Sequence, residues 1–478
     1  MNVFRQPLKA SLKQASEKAR NLGHTTAESL SSGVDRLLDR RICLGVTGFS
    51  GSGKTTMITS LIHQLRYYPD AVLAALPPAL QDRLLGVRLS HLKGLPFFPY
   101  EQGATALSSG RWPKATRQES GCQLEIKYRT RRGIIPGRKP GIGRLFLEIR
   151  DYPGEWLLDL PLLAMSYSDW CLQFRKSLDQ NTLHAFPERL KALDPTEVIT
   201  DVELEALWQQ QLDYLKVCQQ KGMTLIQPGR LLHIQPDSPE NQCPFIPLPG
   251  LPELTEEQRL NAPENALFKR CEKNYQHYLE QWVEPFYKNT FQKVDRQLVL
   301  IDVLKGLNQG QASLDNLRLG LTQVLQSFEY GQNSLIRRLI NPRVDRAVFA
   351  ASKIDQVLPD QHEQVRSLTA ALVKEAQRRA TFNEIDVRCE AVAAVRSTTH
   401  VEYAGQTALK GNTADGPGIL RHPPIPEQLP DHEYWQSAEP WQLRRLLPPS
   451  GLKLHNGDRL PHIRLDSVLN DLLGDKFL

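Results

Sequence analysis

The sequence predicts a three-layer α/β fold with a mostly parallel sheet, one antiparallel edge hairpin and an inserted, mostly helical domain. Three observations predict it. An apolar run, a glycine-rich loop and an amphipathic helix follow one another within 41–66. Two runs of alternating apolar residues lie at 122–128 and 145–149, with turn residues between them. After a long helical stretch, strand and helix patterns alternate again between 298 and 400.

The composition restricts the class of protein. A length of 478 residues predicts about three domains, and 40% hydrophobic with 23% charged residues is typical of a soluble globular chain. No apolar run is long enough for a membrane span, and we expect no secretory signal. The net charge of +6 would favour a weak anionic contact without demonstrating one. Seven scattered cysteines without a C-x-x-C pattern indicate a reducing cytoplasm and no zinc site.

The apolar pattern of residues 1–40 predicts two helices that pack on the core. The first is amphipathic and strongly basic, a pattern that is also typical of helices lying on a membrane surface. Packing on the chain's own core is the favoured interpretation, and peripheral membrane contact stays open as the alternative.

The stretch GFSGSGKT, from Gly48 to Thr55, matches the pattern G-x-x-x-x-G-K-[ST] in full. It lies between a strand and a helix, as a phosphate-binding loop requires. Its glycines let backbone N–H groups turn towards phosphate oxygens, and the helix N-terminus adds positive potential. Lys54 supplies a point charge, and the Thr55 hydroxyl can complete a Mg²⁺ shell. The predicted nucleotide contacts in this loop are Ser50, Gly51, Ser52, Gly53, Lys54, Thr55 and Thr56.

A second motif, Asp-Tyr-Pro-Gly at 151–154, follows the apolar run 145–149 directly. A carboxylate at a strand end can hold a Mg²⁺ water, and the Gly154 N–H can reach a terminal phosphate. Asp151 is therefore predicted as a metal ligand. A hydroxyl from the preceding loop should complete the metal shell; Thr116 is the candidate and Thr105 the alternative.

Residues 157–297 predict a helical insertion. Apolar residues at helical spacing mark two helices, with Leu204, Leu207, Trp208, Leu212 and Leu215 in one and Phe268, Tyr275, Tyr278, Trp282 and Phe286 in the other. Seven prolines between 228 and 252 exclude a helix or a central strand there. Core packing is the favoured interpretation of the aromatic stripe, and a groove for a partner is the alternative.

The α/β pattern resumes after the insertion. Strands are predicted at 297–304, 346–351 and 385–395, and helices at 314–328, 334–340 and about 360–380. The predicted domains are N-terminal helices (1–40), two halves of one nucleotide-binding domain (41–156 and 298–400), the insertion, and a loop-rich extension (401–478). That extension should wrap over the surface and end in a short helix at 465–473.

In order, the motifs are GFSGSGKT, DYPG, SKID at 352–355 and a final AAV loop at 393–395. This set resembles the guanine-nucleotide loops of small GTPases, P-loop proteins of the Ras/Era-like type, specifically the Era and TrmE branch. The resemblance implies that Asp355 binds the guanine ring, with the Lys353 stem along the base. Ser352 stands at the first position of this motif, where the family usually has Asn or Thr. The resemblance also implies that Ala394 and Val395 of the last loop contact the base. An acceptor-only carboxylate matches the paired donors of guanine, which adenine lacks, so GTP and GDP are the predicted ligands.

The segments RWPKATRQES and EIRDYPGEW extend the resemblance to the YcjX family of bacterial stress-linked P-loop proteins, over essentially the whole chain. This resemblance implies a GTPase with a helical insertion, acting as a nucleotide-controlled switch in a stress or envelope-linked process. It also implies a functional link to an inner-membrane protein, and hence a cytoplasmic location with peripheral contact at the inner membrane as an alternative.

The predicted catalytic set is Lys54, Thr116, Gly154 and Glu155. Ras-like proteins carry a glutamine where this chain has Glu155, and a carboxylate beside a terminal phosphate is repelled unless it is paired or protonated. We therefore expect slow intrinsic hydrolysis, accelerated by a partner, by dimerisation or by an arginine in cis, Arg111 or Arg117.

Two alternatives stay open at this stage. One is a scaffold that binds GTP or GDP without significant hydrolysis. The other is an RNA- or ribosome-linked GTPase, for which the candidate surface is the basic cluster Lys127, Arg129, Arg131, Arg132, Arg138, Lys139 and Arg144. Charge on a hairpin tip is usually solvated and no RNA-reading fold is visible, so nucleic acid is disfavoured. The sequence leaves the oligomeric state and the effector open.

Overall fold

The computed structural model of the chain describes residues 41–67, 84–129, 142–178, 185–234, 243–329, 344–382, 385–420, 422–437 and 441–477. The helices predicted within 1–40 and at 334–340 lie outside these described residues.

A seven-stranded sheet forms the centre of the described chain, in the order β2-β3-β4-β1-β5-β6-β7. Its strands are β1 Arg41–Gly48, β2 Leu84–His91, β3 Ser120–Arg129, β4 Ile142–Asp151, β5 Arg296–Ile301, β6 Arg346–Ala351 and β7 Asp386–Ala391. β3 is antiparallel to both of its neighbours, and the pairs from β4 to β7 are all parallel. The carboxyl ends of β1, β4, β5, β6 and β7 therefore meet along one edge, where ligands of open α/β sheets bind.

Thirteen α-helices are described: α1 Lys54–Tyr67, α2 Tyr100–Ser108, α3 Tyr167–Leu178, α4 Ala185–Lys191, α5 Asp201–Gln220, α6 Glu256–Asn261, α7 Leu267–Tyr278, α8 Glu284–Asn289, α9 Val303–Gln309, α10 Gln311–Glu329, α11 His362–Phe382, α12 His432–Ser437 and α13 Leu465–Leu473. Apolar residues of α1, α2 and α13 share one cluster with one face of the sheet. Those of α10, α11 and the insertion share a second cluster with the other face. The result is the predicted three-layer α/β arrangement. None of the described helices is long and apolar enough to cross a membrane.

The insertion is mostly helical, as predicted, and its aromatic residues are core residues. A π-helical turn, Leu279–Val283, joins α7 to α8. Trp170 stacks on Tyr275 at 5.4 Å between ring centroids, and Phe245 lies 5.3 Å from Tyr278. This packing favours the core interpretation of the aromatic stripe over a groove for a partner.

The structure differs from the sequence-based expectation in three places. The loop-rich region between 67 and 120 contains β2 and α2, so a further strand lies outside the predicted hairpin. Residues 398–420 form a small antiparallel sheet of β8 Thr398–Tyr403, β9 Gln406–Thr413 and β10 Gly416–Leu420. The final helix α13 is buried against the central sheet, where the Arg296 guanidinium donates to the Leu472 carbonyl at 2.9 Å. The tail therefore adds α13 to the core of the central sheet.

Candidate functional site

The glycine-rich loop turns at the end of β1 and leaves a concave opening. Gly51 and Gly53 have φ angles of 85° and 88°, which favour glycine. A Cβ at either position would meet no described atom within 4 Å. Gly48, in contrast, is tightly enclosed, since a Cβ there would lie 2.7 Å from the Leu300 carbonyl oxygen. Ser52 N–H closes the turn on the Phe49 carbonyl at 3.0 Å. Open space above the turn and dense packing below it fit a phosphate-binding loop.

The three residues predicted to bind magnesium, Thr55, Thr116 and Asp151, lie together beside this loop. The Thr116 hydroxyl donates to Asp151 Oδ2 at 2.7 Å and lies 3.0 Å from the Thr55 hydroxyl. Lys54 Nζ lies 3.4 Å from Asp151 Oδ1 and donates to the Tyr152 carbonyl. The structure thus joins the phosphate loop, the loop before β3 (residues 111–119, called switch I after the resemblance) and the segment that starts at Asp151 (residues 151–164, called switch II). Switch II includes the first residues of the predicted insertion, and from this point the insertion means the residues after 164. Thr56 follows on α1 and is half-buried.

The donor set at this junction fits a divalent cation. Asp151 Oδ1 is buried and has no hydrogen-bond partner among the described residues. Burial raises the pKa of Asp151, and the charge of Lys54 opposes that rise. Carboxylate and hydroxyl oxygens are the ligands that Mg²⁺ prefers. Thr105, the alternative hydroxyl, lies on α2, where it donates to the Glu101 carbonyl at 2.8 Å. It is not part of the cluster.

The predicted base-binding residues lie at the same edge of the sheet. Asp355 is buried, and its Oδ2 accepts the Ser397 N–H at 2.8 Å. Burial raises the pKa of Asp355, while hydrogen bonds from Ser397 lower it. Lys353 has a φ of 62° and its ammonium contacts Asp302 Oδ2 at 2.5 Å. The Ser352 N–H donates to the Ile301 carbonyl at 2.8 Å, so this serine ties the end of β6 to β5.

The last predicted loop lies beside the first helix of the site. The Ser60 hydroxyl of α1 donates to the Ala394 carbonyl at 2.6 Å. Val395 is buried next to it. Because α1 also begins in the phosphate loop, this contact connects the two ends of the predicted nucleotide site.

Glu155 contacts the phosphate loop at Ser50. Its Oε1 accepts the Ser50 N–H at 2.9 Å, and its Oε2 lies 3.5 Å from His233 Nε2. Burial acts to raise the pKa of Glu155, but hydrogen bonding and charge from His233, with the charge of Lys54, hold it below its usual value. The preceding Gly154 packs on the loop so closely that a Cβ would lie 2.7 Å from Gly48 backbone atoms.

The insertion contributes contacts to switch II that the sequence did not predict. Arg230 places its guanidinium 3.9 Å from the Trp156 ring centroid. Asp159 accepts the Gly229 N–H at 2.6 Å and the Arg230 N–H at 2.9 Å. The arginines predicted to act in cis, Arg111 and Arg117, are exposed in switch I. Among the described residues, Arg230 of the insertion contacts switch II through both its guanidinium and its backbone N–H.

Some of the missed residues had a local signal and others had none. Asp302 directly follows β5, which ends at Ile301 and is shorter than the predicted strand 297–304, and Ser397 follows the AAV loop by two positions. Both could have been found from strand ends. His233 lies 78 positions from Glu155, and no spacing rule connects them.

Two described residues of the basic cluster, Lys127 and Arg144, form ion pairs on the sheet. Glu125 is contacted by Arg88 at 2.7 Å, by Arg144 at 3.6 Å and by Lys127 at 3.9 Å. Arg131, Arg132, Arg138 and Lys139 lie outside the described residues. The pairing gives two cations of the cluster, Lys127 and Arg144, a structural partner, which favours a solvated face over a nucleic-acid surface.

Comparison with known proteins adds independent findings. The model of the YcjX-like family, DUF463, matches residues 42–477. The chain is 35% identical over 465 residues to an Escherichia coli protein named Ras-like GTPase YcjX, with 94% of this chain and 98% of the relative covered. It is 33% identical over 493 residues to a Shewanella oneidensis protein of the same name, with 98% and 99% covered.

Proposed function

Since this chain belongs to the YcjX-like family, we propose that it binds GTP and GDP together with Mg²⁺ and hydrolyses GTP slowly. The relatives' name, Ras-like GTPase, supports the activity. The observation that carries the proposal is the convergence of Thr55, Thr116 and Asp151 beside the phosphate loop. Asp355 at the same sheet edge supports guanine as the base.

Each residue has a distinct role in this proposal. Lys54 and the backbone N–H groups of the loop would neutralise the outer phosphates. Thr55, Thr116 and Asp151 would hold Mg²⁺, which when bound neutralises charge on the same phosphates. The Gly154 N–H would contact the terminal phosphate. The Asp355 carboxylate would accept two hydrogen bonds from guanine, with Ser352, Lys353, Ala394 and Val395 around the base.

Glu155 supports slow turnover. It contacts the phosphate loop at Ser50, where an attacking water must be oriented, and its negative charge opposes a terminal phosphate. A partner or the insertion would then be needed for fast hydrolysis. We extend the proposal, from the family resemblance, to a nucleotide-controlled switch in a bacterial stress or envelope-linked process. A cytoplasmic location near an inner-membrane partner is part of that extension.

Calorimetric titration with GDP, a non-hydrolysable GTP analogue and ADP, with Mg²⁺ or EDTA, tests the binding. We expect the wild type to prefer GDP over ADP by about 10- to 100-fold, the value of one or two hydrogen bonds to a charged group. Lys54→Ala should weaken both GDP and ADP by about 10- to 100-fold. Asp355→Asn should abolish the preference for guanine, because the amide presents a donor where guanine requires an acceptor.

Lys374→Ala is the matched control, since Lys374 is exposed on α11 away from the loop. Equal affinities for GDP and ADP in the wild type would refute guanine specificity. Release of phosphate under single-turnover conditions separates the GTPase from a scaffold. A wild type that binds GTP and releases no more phosphate than Lys54→Ala would be a scaffold.

A further inference from the structure

Residues 229–233 of the insertion (the docking segment) lie directly on switch II. The two oxygens of Asp159 accept consecutive N–H groups, from Gly229 at 2.6 Å and Arg230 at 2.9 Å. The Tyr278 hydroxyl, also from the insertion, donates to Asp159 Oδ2 at 2.7 Å. Asp159 is 2% exposed, so these bonds are made away from water. The docking segment is therefore held in place by a buried carboxylate.

Gly229 allows the docking segment to approach Glu155 closely. A Cβ at Gly229 would overlap the Glu155 carbonyl oxygen. The backbone φ of Gly229 is −73°, which any residue can adopt, so the requirement for glycine comes from this contact. Four residues beyond Gly229, His233 reaches the Glu155 side chain.

Each carboxylate oxygen of Glu155 has its own partner. Oε1 accepts the Ser50 N–H of the phosphate loop, and Oε2 lies 3.5 Å from His233 Nε2. An ionised carboxylate only accepts hydrogen bonds, so His233 Nε2 is the donor. Glu155 is 4% exposed, and solvent therefore does little to screen its charge.

In the proposed GTP complex, a terminal phosphate would compete with Glu155 for the Ser50 N–H. Both are anionic acceptors, and a carboxylate next to a phosphate is destabilised unless a donor or a cation pairs with it. When phosphate takes the Ser50 N–H, Glu155 would keep its contact with His233. The consequence would fall on the triphosphate and not on the diphosphate, because in the proposed site the third phosphate is the group nearest Glu155.

We propose that His233 is a positioning residue for Glu155, supplied in cis by the helical insertion. It holds the carboxylate at the phosphate loop and pairs with it when a triphosphate binds, which rests on the proposed binding of GTP. The insertion thereby sets the preference for triphosphate over diphosphate and the rate of hydrolysis. No covalent role is assigned to His233.

The test measures the ratio of the affinities for a non-hydrolysable GTP analogue and for GDP, by calorimetry on the full chain. His233→Ala should lower this ratio about tenfold, because the unpaired Glu155 repels the third phosphate. His233→Gln, which keeps a side-chain N–H donor, should restore the ratio to within about threefold. His277→Ala is the matched control, since His277 is an exposed histidine of the insertion that makes an edge-to-face contact with Trp282.

The Glu155→Ala background decides whether His233 acts through Glu155. There, His233→Ala should leave the ratio unchanged within about twofold, as a double-mutant cycle requires for coupled residues. The same tenfold loss in that background would mean that His233 acts on the phosphate directly, and would overturn the proposal. So would an unchanged ratio for His233→Ala in the wild-type background.

Two further measurements separate a folding defect and a failure of the proposed function from a failure of the role given to His233. If His233→Ala does not fold, Gly229→Ala replaces it, since the added methyl group displaces the same segment from Glu155. This variant should lower the ratio in the same direction, and an unchanged ratio would count against the proposal. A wild type that binds neither GDP nor the analogue refutes the proposed function itself, whereas normal wild-type binding with insensitive variants refutes only the role of His233.

Discussion

Asp159 joins switch II to the insertion, and its replacement by asparagine should change how stability depends on pH. Burial raises the pKa of Asp159 to about 6 from its ordinary 3.8, against the lowering effect of hydrogen bonds from Arg230, Tyr278 and Gly229. The folded state therefore binds the proton more tightly than the unfolded state. Stability contributed by this group rises as the pH falls through 6 and is complete below about 3.8.

The size of the effect follows from the two pKa values. One pKa unit is worth about 1.4 kcal/mol, so the full difference for Asp159 is about 3 kcal/mol. When the pH falls from 8 to 4.5, the contribution of Asp159 to the free energy of unfolding of the wild type should rise by about 2 kcal/mol. Asp159→Asn has no ionisable group at this position and should not gain it. Other buried carboxylates titrate in both proteins and cancel in the difference.

The assay is urea unfolding at pH 8, 6.5, 5.5 and 4.5, followed by tryptophan fluorescence. Trp170 and Trp208 are fully buried in the insertion and report on its unfolding. Asp194→Asn is the matched control, because Asp194 is an exposed carboxylate of the insertion whose pKa lies below its ordinary value, through hydrogen bonds from Thr196. If the difference in unfolding free energy between wild type and Asp159→Asn stays constant over this pH range, the reasoning is refuted. A difference that changes with the opposite sign refutes it as well.

Two further predictions concern the phosphate end of the site. Thr116→Ala should remove most of the Mg²⁺-dependent gain in nucleotide affinity, because the hydroxyl lies beside Asp151. Thr116→Ser keeps the hydroxyl and should retain the gain. Titration of nucleotide with Mg²⁺ and with EDTA measures the gain in each protein. Equal magnesium dependence in all three proteins would exclude Thr116 as a ligand. Gly154→Ala should slow single-turnover GTP hydrolysis at least about tenfold, since its Cβ would lie 2.7 Å from Gly48 backbone atoms and displace switch II. Gly250→Ala is its control, where the nearest neighbour would be 3.6 Å away, and a normal rate for Gly154→Ala would contradict the prediction.

The elements that sequence alone predicted are those whose signal is local. The phosphate loop is a contiguous motif, and α5, α7 and α13 repeat apolar residues every three or four positions. The matches to the YcjX-like family confirm the family predicted from the motifs. These features depend on neighbours within about ten residues, so one sequence contains enough information to find them.

The missed strands show where local patterns fail. β8 is mostly exposed, and the buried residues of β9 are Ala408, Leu409, Gly411 and Thr413, so neither strand has a regular apolar face to recognise. Their turns did carry a signal, since Ala404 and Gly405 both have positive φ and Asp415-Gly416 is a hairpin dipeptide. β2 was not predicted because the glycines and prolines around it indicated a loop. Turn chemistry was the better guide in this region.

The contacts of the site were harder to predict because they join distant segments. Asp159 and its donors are 70 and 71 positions apart, and the Thr290 hydroxyl donates to Glu119 across 171 positions. Only the fold brings such residues together. The motifs could therefore predict the phosphate and base contacts, while the role of the insertion needed the structure.

The insertion is attached to both switches, and this limits how either can move. At one end, Thr290 donates to Glu119 of switch I, and the Asn289 carbonyl accepts from Arg150 at 3.1 Å. At the other end, the docking segment is bonded to Asp159 of switch II. Moving either switch alone would leave buried groups without partners, at about 1–3 kcal/mol for each. That is comparable to the whole coupling free energy of a typical allosteric ligand, so we expect the insertion to follow the switches and not to stay fixed.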